Sequence, residues 1–113
     1  MHSTSKEKWY TNEALVAKHF VDQGYEIIGT NYTIKGGEID IIIKDKDDLI
    51  FVEVKTVDHI DDIYGYVTTS KIKALERSID SYIQRDDPEY KNIRLLFIFV
   101  KDSKIIEIYE QET

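Results

Sequence analysis

GGEIDIIIKDKDDLIFVEVK, Gly36 to Lys55, holds two apolar runs on either side of the polar turn DKDD, and its reading decides the fold. The runs Glu38–Lys44 and Leu49–Val57 are rich in β-branched residues and predict the two strands of an antiparallel hairpin. Side chains alternate faces along a strand. Ile39, Ile41 and Ile43 are therefore expected on one face of the first run, with Glu38, Asp40 and Ile42 on the other. In the second run Ile50, Val52 and Val54 share one face, and Phe51, Glu53 and Lys55 the other. If the isoleucine and valine faces coincide, Glu38, Asp40, Glu53 and Lys55 gather at one end of the opposite face. An ordinary cross-strand ion pair would use Lys55 and one acid. Three carboxylates close together require a proton or a cation between them.

Outward from the hairpin, the chain alternates helical and extended patterns. From about Lys8 to Gln23 the apolar positions Tyr10, Ala14, Ala17 and Val21 recur at helical spacing, with Glu13, Val16 and Phe20 alongside, and Gly24 supplies a helix stop. Tyr25–Tyr32 predicts a strand that Gly29 weakens. Asp58–Tyr66 reads as a loop containing aromatics, after which Thr68, Thr69 or Ser70 can cap a second helix to about Arg85. Its apolar stripe is Ile72, Leu75, Ile79, Tyr82 and Ile83. DDPEYKN breaks that helix, Ile93–Val100 reads as a buried strand, and the turn at Asp102 and Ser103 leads to a last strand, Ile105–Tyr109. The expected order is αβββαββ. A helix crossing between Leu49–Val57 and Ile93–Val100 makes those strands parallel, in a mixed sheet covered by helices.

A chain of 113 residues, 42% of them hydrophobic, is long enough for one core. Residues 1–8 are expected to be disordered and residues 9–113 to form a single domain. There are no cysteines, which excludes disulfides, thiolate zinc sites and cysteine nucleophiles and fits a cytoplasmic location. No apolar run approaches a membrane span, and MHSTSKEKW has no signal-peptide core. The net charge of -7, from 22 acidic and 15 basic residues, argues against a generic nucleic-acid coat. The acids are densest from Gly36 to Asp62, a pattern that suits either solvated turns or a cation site.

Hard oxygen ligands favour Mg²⁺ or Mn²⁺, and magnesium takes one or two carboxylates, several waters and phosphate oxygens. A lysine beside such an ion can orient the attacking water and offset charge on a phosphoryl group. Together these groups are the equipment for phosphodiester hydrolysis.

Asp40, twelve intervening residues, then Glu53-Val54-Lys55, after a helix bearing Glu13, resemble the PD-(D/E)XK nuclease signature. GGEIDIII with FVEVK, the stretch from Glu13 to Tyr25, and VTTSKIKAL at Val67–Leu75 are more narrowly similar to the YraN-like family, regarded as related to Holliday-junction resolvases. The similarity runs from about Glu13 to Val100. It implies a restriction-endonuclease-like α/β fold, with Asp40 and Glu53 binding Mg²⁺ or Mn²⁺, the Val54 carbonyl as a third ligand, and Lys55 positioning the water. It further implies that Glu13 joins the metal site from the helix, that Lys71 and Lys73 contact substrate, and that Glu38 is an accessory acid. DNA, including branched DNA, is the implied substrate, and a homodimer the implied assembly.

This chain departs from the family pattern in two places. Val57 stands where the family usually has an arginine one residue beyond FVEVK, and Leu96 where it has an aspartate two residues after the position matched by Arg94. The rival expectation is a nuclease scaffold without useful turnover, serving as a nucleic-acid or protein interaction module. His19 and His59 lack partners at ligand spacing. Tyr64 and Tyr66 can stack on bases or seal the loop over the core, and the second reading is the cheaper one.

Overall fold

The computed structural model describes residues 5–112, with side chains from residue 12 onward. Its elements are α1 (Ser5–Asp22), β1 (Glu26–Ile34), β2 (Gly37–Asp45), β3 (Asp48–Thr56), a short 3-10 turn (Ile60–Ile63), α2 (Thr69–Asp86), β4 (Asn92–Lys101) and β5 (Lys104–Gln111). The order matches the expected αβββαββ. Helix α1 starts at Ser5, upstream of the expected Lys8, and residues 1–4 of the expected disordered segment lie outside the described residues. No helix among the described residues is long and apolar enough to cross a membrane.

The five strands form one sheet in the order β1-β2-β3-β4-β5. All neighbours are antiparallel except β3 and β4, which pair in parallel from Asp48↔Asn92 to Thr56↔Val100. Two helices flank this mixed sheet on opposite faces, an arrangement consistent with the restriction-endonuclease-like fold. On one face Val16 and Phe20 of α1 pack against Ile41, Ile43, Ile50, Val52, Val54 and Ile98. On the other, Leu75, Ile79 and Tyr82 of α2 pack against Ile42, Leu49, Phe51, Phe97 and Phe99.

Helix α2 begins as its sequence requires: Thr68 is the N-cap, and its Oγ1 accepts the Lys71 N–H at 3.2 Å. The β4–β5 turn places Asp102 and Ser103 at φ 50° and 61°, the left-handed pair that a two-residue hairpin needs. Gly37 is set by contact. A Cβ there would lie 2.3 Å from Ser78 Oγ and 3.0 Å from the Ala74 carbonyl, so only glycine lets the start of β2 lie flush on α2.

Two expectations about faces need correction. Helix α1 does not bury Ala14 and Val21. Ala14 is exposed and Val21 is 54% exposed, while Asn12, Glu13, Val16 and Phe20 face the sheet. The side chain of Tyr10 lies outside the described residues. The inward face carries two polar side chains, and counting apolar residues alone selects the wrong stripe.

The second correction concerns Ile39. It does not share a face with Ile41 and Ile43, but packs in the α2-side core with Ile42 and Phe51. The alternation therefore slips by one residue at Asp40. Strand β1 keeps its register across this level, from Thr30↔Ile41 to Tyr32↔Ile39, its register shift lying between Ile27 and Gly29, and Asn31, opposite Asp40, adopts φ 51°. Asparagine is among the few residues that tolerate this conformation.

Candidate metal and nuclease site

The slip at Asp40 builds the site. The ladder between β2 and β3 runs from Asp45↔Asp48 to Ile41↔Val52 and goes no further. At the next position the Asp40 side chain takes over from the backbone, its Oδ2 accepting the Val54 N–H at 2.7 Å. A strand N–H points along the sheet toward the neighbouring strand, so this carboxylate lies between the two strands and faces both layers of the protein. The N–H and carbonyl of one strand residue leave on the same side. The Val54 carbonyl is therefore also directed to the Asp40 side of β3.

Two further acids reach the same point from opposite faces. Glu53 arrives on the α2 side, and its carboxyl hydrogen-bonds that of Asp40. Glu13 arrives from α1, near enough for Asp40 to act on it electrostatically. All three are buried, with Asp40 2%, Glu13 6% and Glu53 8% exposed. Asn12 fixes the helix there: its side-chain amide donates to Thr56 Oγ1 at 2.6 Å, clamping the start of the buried stretch of α1 to the end of β3.

Burial and crowding set the protonation. Burial, followed by the charges of Asp40 and Glu38, pushes the Glu13 carboxyl up to about 8. Burial, followed by the hydrogen bond and charge of Asp40, raises Glu53 further, against a smaller lowering by Lys71. Glu38 at the rim is also raised, by partial burial and then by Asp40. At neutral pH the cluster thus keeps protons that isolated carboxylates would have lost. Glu13 Oε2 is buried with no hydrogen-bond partner, the side-chain atom among the described residues in that condition.

The cations lie around this pocket. Lys55, exposed on β3, places its ammonium 5.1 Å from the Tyr66 ring centroid, and Lys71 of α2 lies 4.5 Å from the same ring. Burial alone would lower Lys71, but the Tyr66 hydroxyl and the charges of Glu53 and Asp40 outweigh it and raise the ammonium. Lys71 also lines a cavity of about 240 Å³ with Gly36, Gly37, Glu38 and Glu53. Lys73 is exposed two residues further along, about 200° around the helix from Lys71. Asp58, Asp61 and Asp62 are exposed on the loop after β3.

The structure thus brings Asp40, Glu53, Glu13 and the Val54 backbone together, with Glu38 and Lys71 at the rim. Lys55 stands at the edge and Lys73 apart. Sequence reading missed Asn12 and the contact of Tyr66 with both lysines. Only the adjacency of Asn12 to Glu13 signals the first. The second had no local signal, because the loop carrying Tyr66 is placed by the core.

The chain resembles other proteins over nearly all of this structure. The sequence model of the "Uncharacterised protein family UPF0102" matches residues 12–100, from the Asn12 clamp to the end of the buried strand β4. A UPF0102 protein of Campylobacter fetus is 35% identical over 96 residues, covering 85% of each chain. One from Dehalococcoides mccartyi is 37% identical over 99 residues, covering 84% of this chain and 80% of the relative. One from Clostridium botulinum is 34% identical over 98 residues, covering 87% and 70%. Matches of this extent, running through all the elements that carry the acid cluster, place the chain in the UPF0102, or YraN-like, family.

Proposed function

We propose that this protein is a PD-(D/E)XK-type nuclease that hydrolyses phosphodiester bonds in DNA with Mg²⁺ or Mn²⁺. The observation that carries the reading is the meeting of three buried carboxylates from three elements, one of them with an oxygen that has no partner. Such a cluster weakens the fold unless a proton or a dication occupies it. The donors are all hard oxygens, as magnesium and manganese prefer. Among the described residues no group of three or more His, Cys, Asp or Glu side chains is arranged to hold a metal ion by itself, so waters and phosphate oxygens would supply most of the shell. An open arrangement suits magnesium, which keeps waters and accepts phosphate oxygens rather than filling its shell from protein.

Asp40 and Glu53 would hold the ion, with the Val54 carbonyl and Glu13 completing the protein's share. When bound, the ion supplies Lewis acidity and a more acidic water. Asp40 is kept in place by the Val54 N–H, so its orientation does not depend on substrate. Lys55 orients the attacking water, and Lys71 offsets charge that builds on the phosphoryl oxygens. Glu38 is left at the mouth as an accessory acid, and Lys73, apart on another face of α2, could reach substrate only away from the pocket. The resemblance to resolvases supports branched DNA as substrate and a two-fold homodimer as the working form, and a chain without cysteines fits the cytoplasm.

A metal-dependent thermal shift combined with a cleavage assay tests this. Millimolar Mn²⁺ should raise the melting temperature of the wild type, and Asp40→Asn or Glu53→Gln should abolish both that shift and cleavage of branched DNA. An unchanged melting temperature together with intact DNA favours the rival reading. The net charge of -7 and the acidic loop at Asp58–Asp62 support that rival, an interaction module on the same scaffold.

A further inference from the structure

We propose that Tyr66 is a positioning residue whose ring holds the ammonium groups of Lys55 and Lys71 beside the acid pocket and out of it. The catalytic consequence rests on the nuclease reading, whereas the placement of the two ammoniums does not. Both lie over one ring, at 5.1 and 4.5 Å from its centroid, within the range of cation–π attraction. The ring itself is fixed. It meets Phe97 and Phe99 edge-on at 6.3 and 5.7 Å, and both phenylalanines are fully buried in the α2-side core. Its backbone N–H donates to the Ile63 carbonyl at 3.2 Å, which ties the loop down.

A flexible ammonium next to Asp40, and to two further acids that a neighbouring cation would help to ionise, is drawn into direct ion pairing in a low-dielectric pocket. That has not happened here. The ion pairs among the described residues use Lys18, Arg85, Lys91, Arg94 and Lys101, and neither Lys55 nor Lys71 takes part in one. Lys71 nonetheless acts on Glu53 and Asp40 from a distance. Tyr66 offers both lysines an alternative partner at the rim, its ring to both and its hydroxyl to Lys71 as well. The space between Glu13, Asp40 and Glu53 is thereby left to a dication, with the two charges poised at its edge.

The test uses the full chain, isotopically labelled and free of metal. In carbon–proton correlation spectra the lysine ε-methylene signals of Lys55 and Lys71 should be displaced upfield by the ring in wild type and in Tyr66→Phe. In Tyr66→Leu they should return to the position of a free lysine. Titration with Mn²⁺ should then show binding weakened roughly 2- to 30-fold in Tyr66→Leu, as the freed ammoniums enter the pocket, and rescued in Tyr66→Phe. Lysine signals at the free position in wild type overturn the proposal, as does a Tyr66→Leu spectrum with both signals unmoved or a Mn²⁺ affinity equal to that of wild type. Should Tyr66→Leu fail to fold, the Tyr66→Phe spectrum decides, since loss of the displacement there removes the ring as the cause. A wild type with displaced lysines that cleaves no DNA upholds the placement of the ammoniums and counts against the nuclease reading alone.

Discussion

The two ends of the β2–β3 hairpin are built from the same residue types and treat them in opposite ways. At the turn end each named acid finds a cation or a donor. Asp47 faces Lys91 at 3.7 Å, while Asp48 accepts from Asn92 at 3.0 Å and lies 3.6 Å from Arg94. The ladder there is regular and the charges lie near water. At the open end Asp40, Glu53 and Glu13 are buried, with Asp40 acting on each of the two glutamates, and the ladder stops one residue short of Asp40 and Glu53. Acids at the turn end serve folding, at little gain or cost. Acids at the open end oppose it, and a chain selected for stability alone would place apolar residues there.

The comparison can be broken most decisively at the open end. Asp40→Asn and Glu53→Gln should each lower metal-dependent cleavage by roughly 10²–10³-fold, measured as initial rates on branched DNA, while leaving the metal-free melting temperature equal or higher. A variant that loses activity only by unfolding would erase the distinction between the two ends. Next in size is Gly37→Ala, whose methyl must displace Ser78. Chemical denaturation should show a loss of about 1–3 kcal/mol.

Asn12→Ala removes the clamp between α1 and β3 and should cost about 1 kcal/mol of stability, with weaker Mn²⁺ binding because Glu13 is no longer held over Asp40. The pH dependence sharpens the contrast further. Glu13 has a folded value raised to about 8 from 4.5, so the folded state holds the proton more tightly than the unfolded one. Its contribution is complete below about 4.5 and is lost as pH rises through about 8. Metal-free protein should therefore melt at falling temperatures between pH 5 and pH 8.5. Saturating Mg²⁺ should offset that fall, and Glu13→Gln should lessen it, leaving the part that Glu53 and Glu38 contribute. At the turn end, Lys91→Ala should change stability by less than about 0.5 kcal/mol and leave metal binding as it was.

The same contrast explains what could be read from the sequence. The turn end obeys strict alternation, so the placements of Ile41, Ile43, Ile50 and Val52 followed from parity alone. Element order, the parallel pairing of β3 with β4 and the α2 stripe were legible for the same reason: apolar periodicity there coincides with burial. The open end was legible in its residue types but not in its geometry. Ile39 changed faces because Asp40 and Asn31 interrupt two neighbouring strands together, and a left-handed asparagine leaves no periodic mark. On α1 the inward face begins with Asn12 and Glu13, which an apolar count reads as solvent-facing. The ring of Tyr66 meets Lys55 and Lys71 only because the core sets three separate segments side by side.

The parallel pairing of β3 with β4 has a consequence for the order of assembly. Every acid of the pocket is contributed before Lys55, yet Tyr66 and Lys71 lie on the crossover that leads to β4, and the ring of Tyr66 rests on Phe97 and Phe99. A growing chain that ends before Asn92 therefore possesses all the carboxylates without the platform that organises the amines around them. Contacts so distant along the chain carry a loop-closure cost that local contacts do not. The acids of the pocket and the two amines over the Tyr66 ring therefore share one framework only once the buried fourth strand is in place.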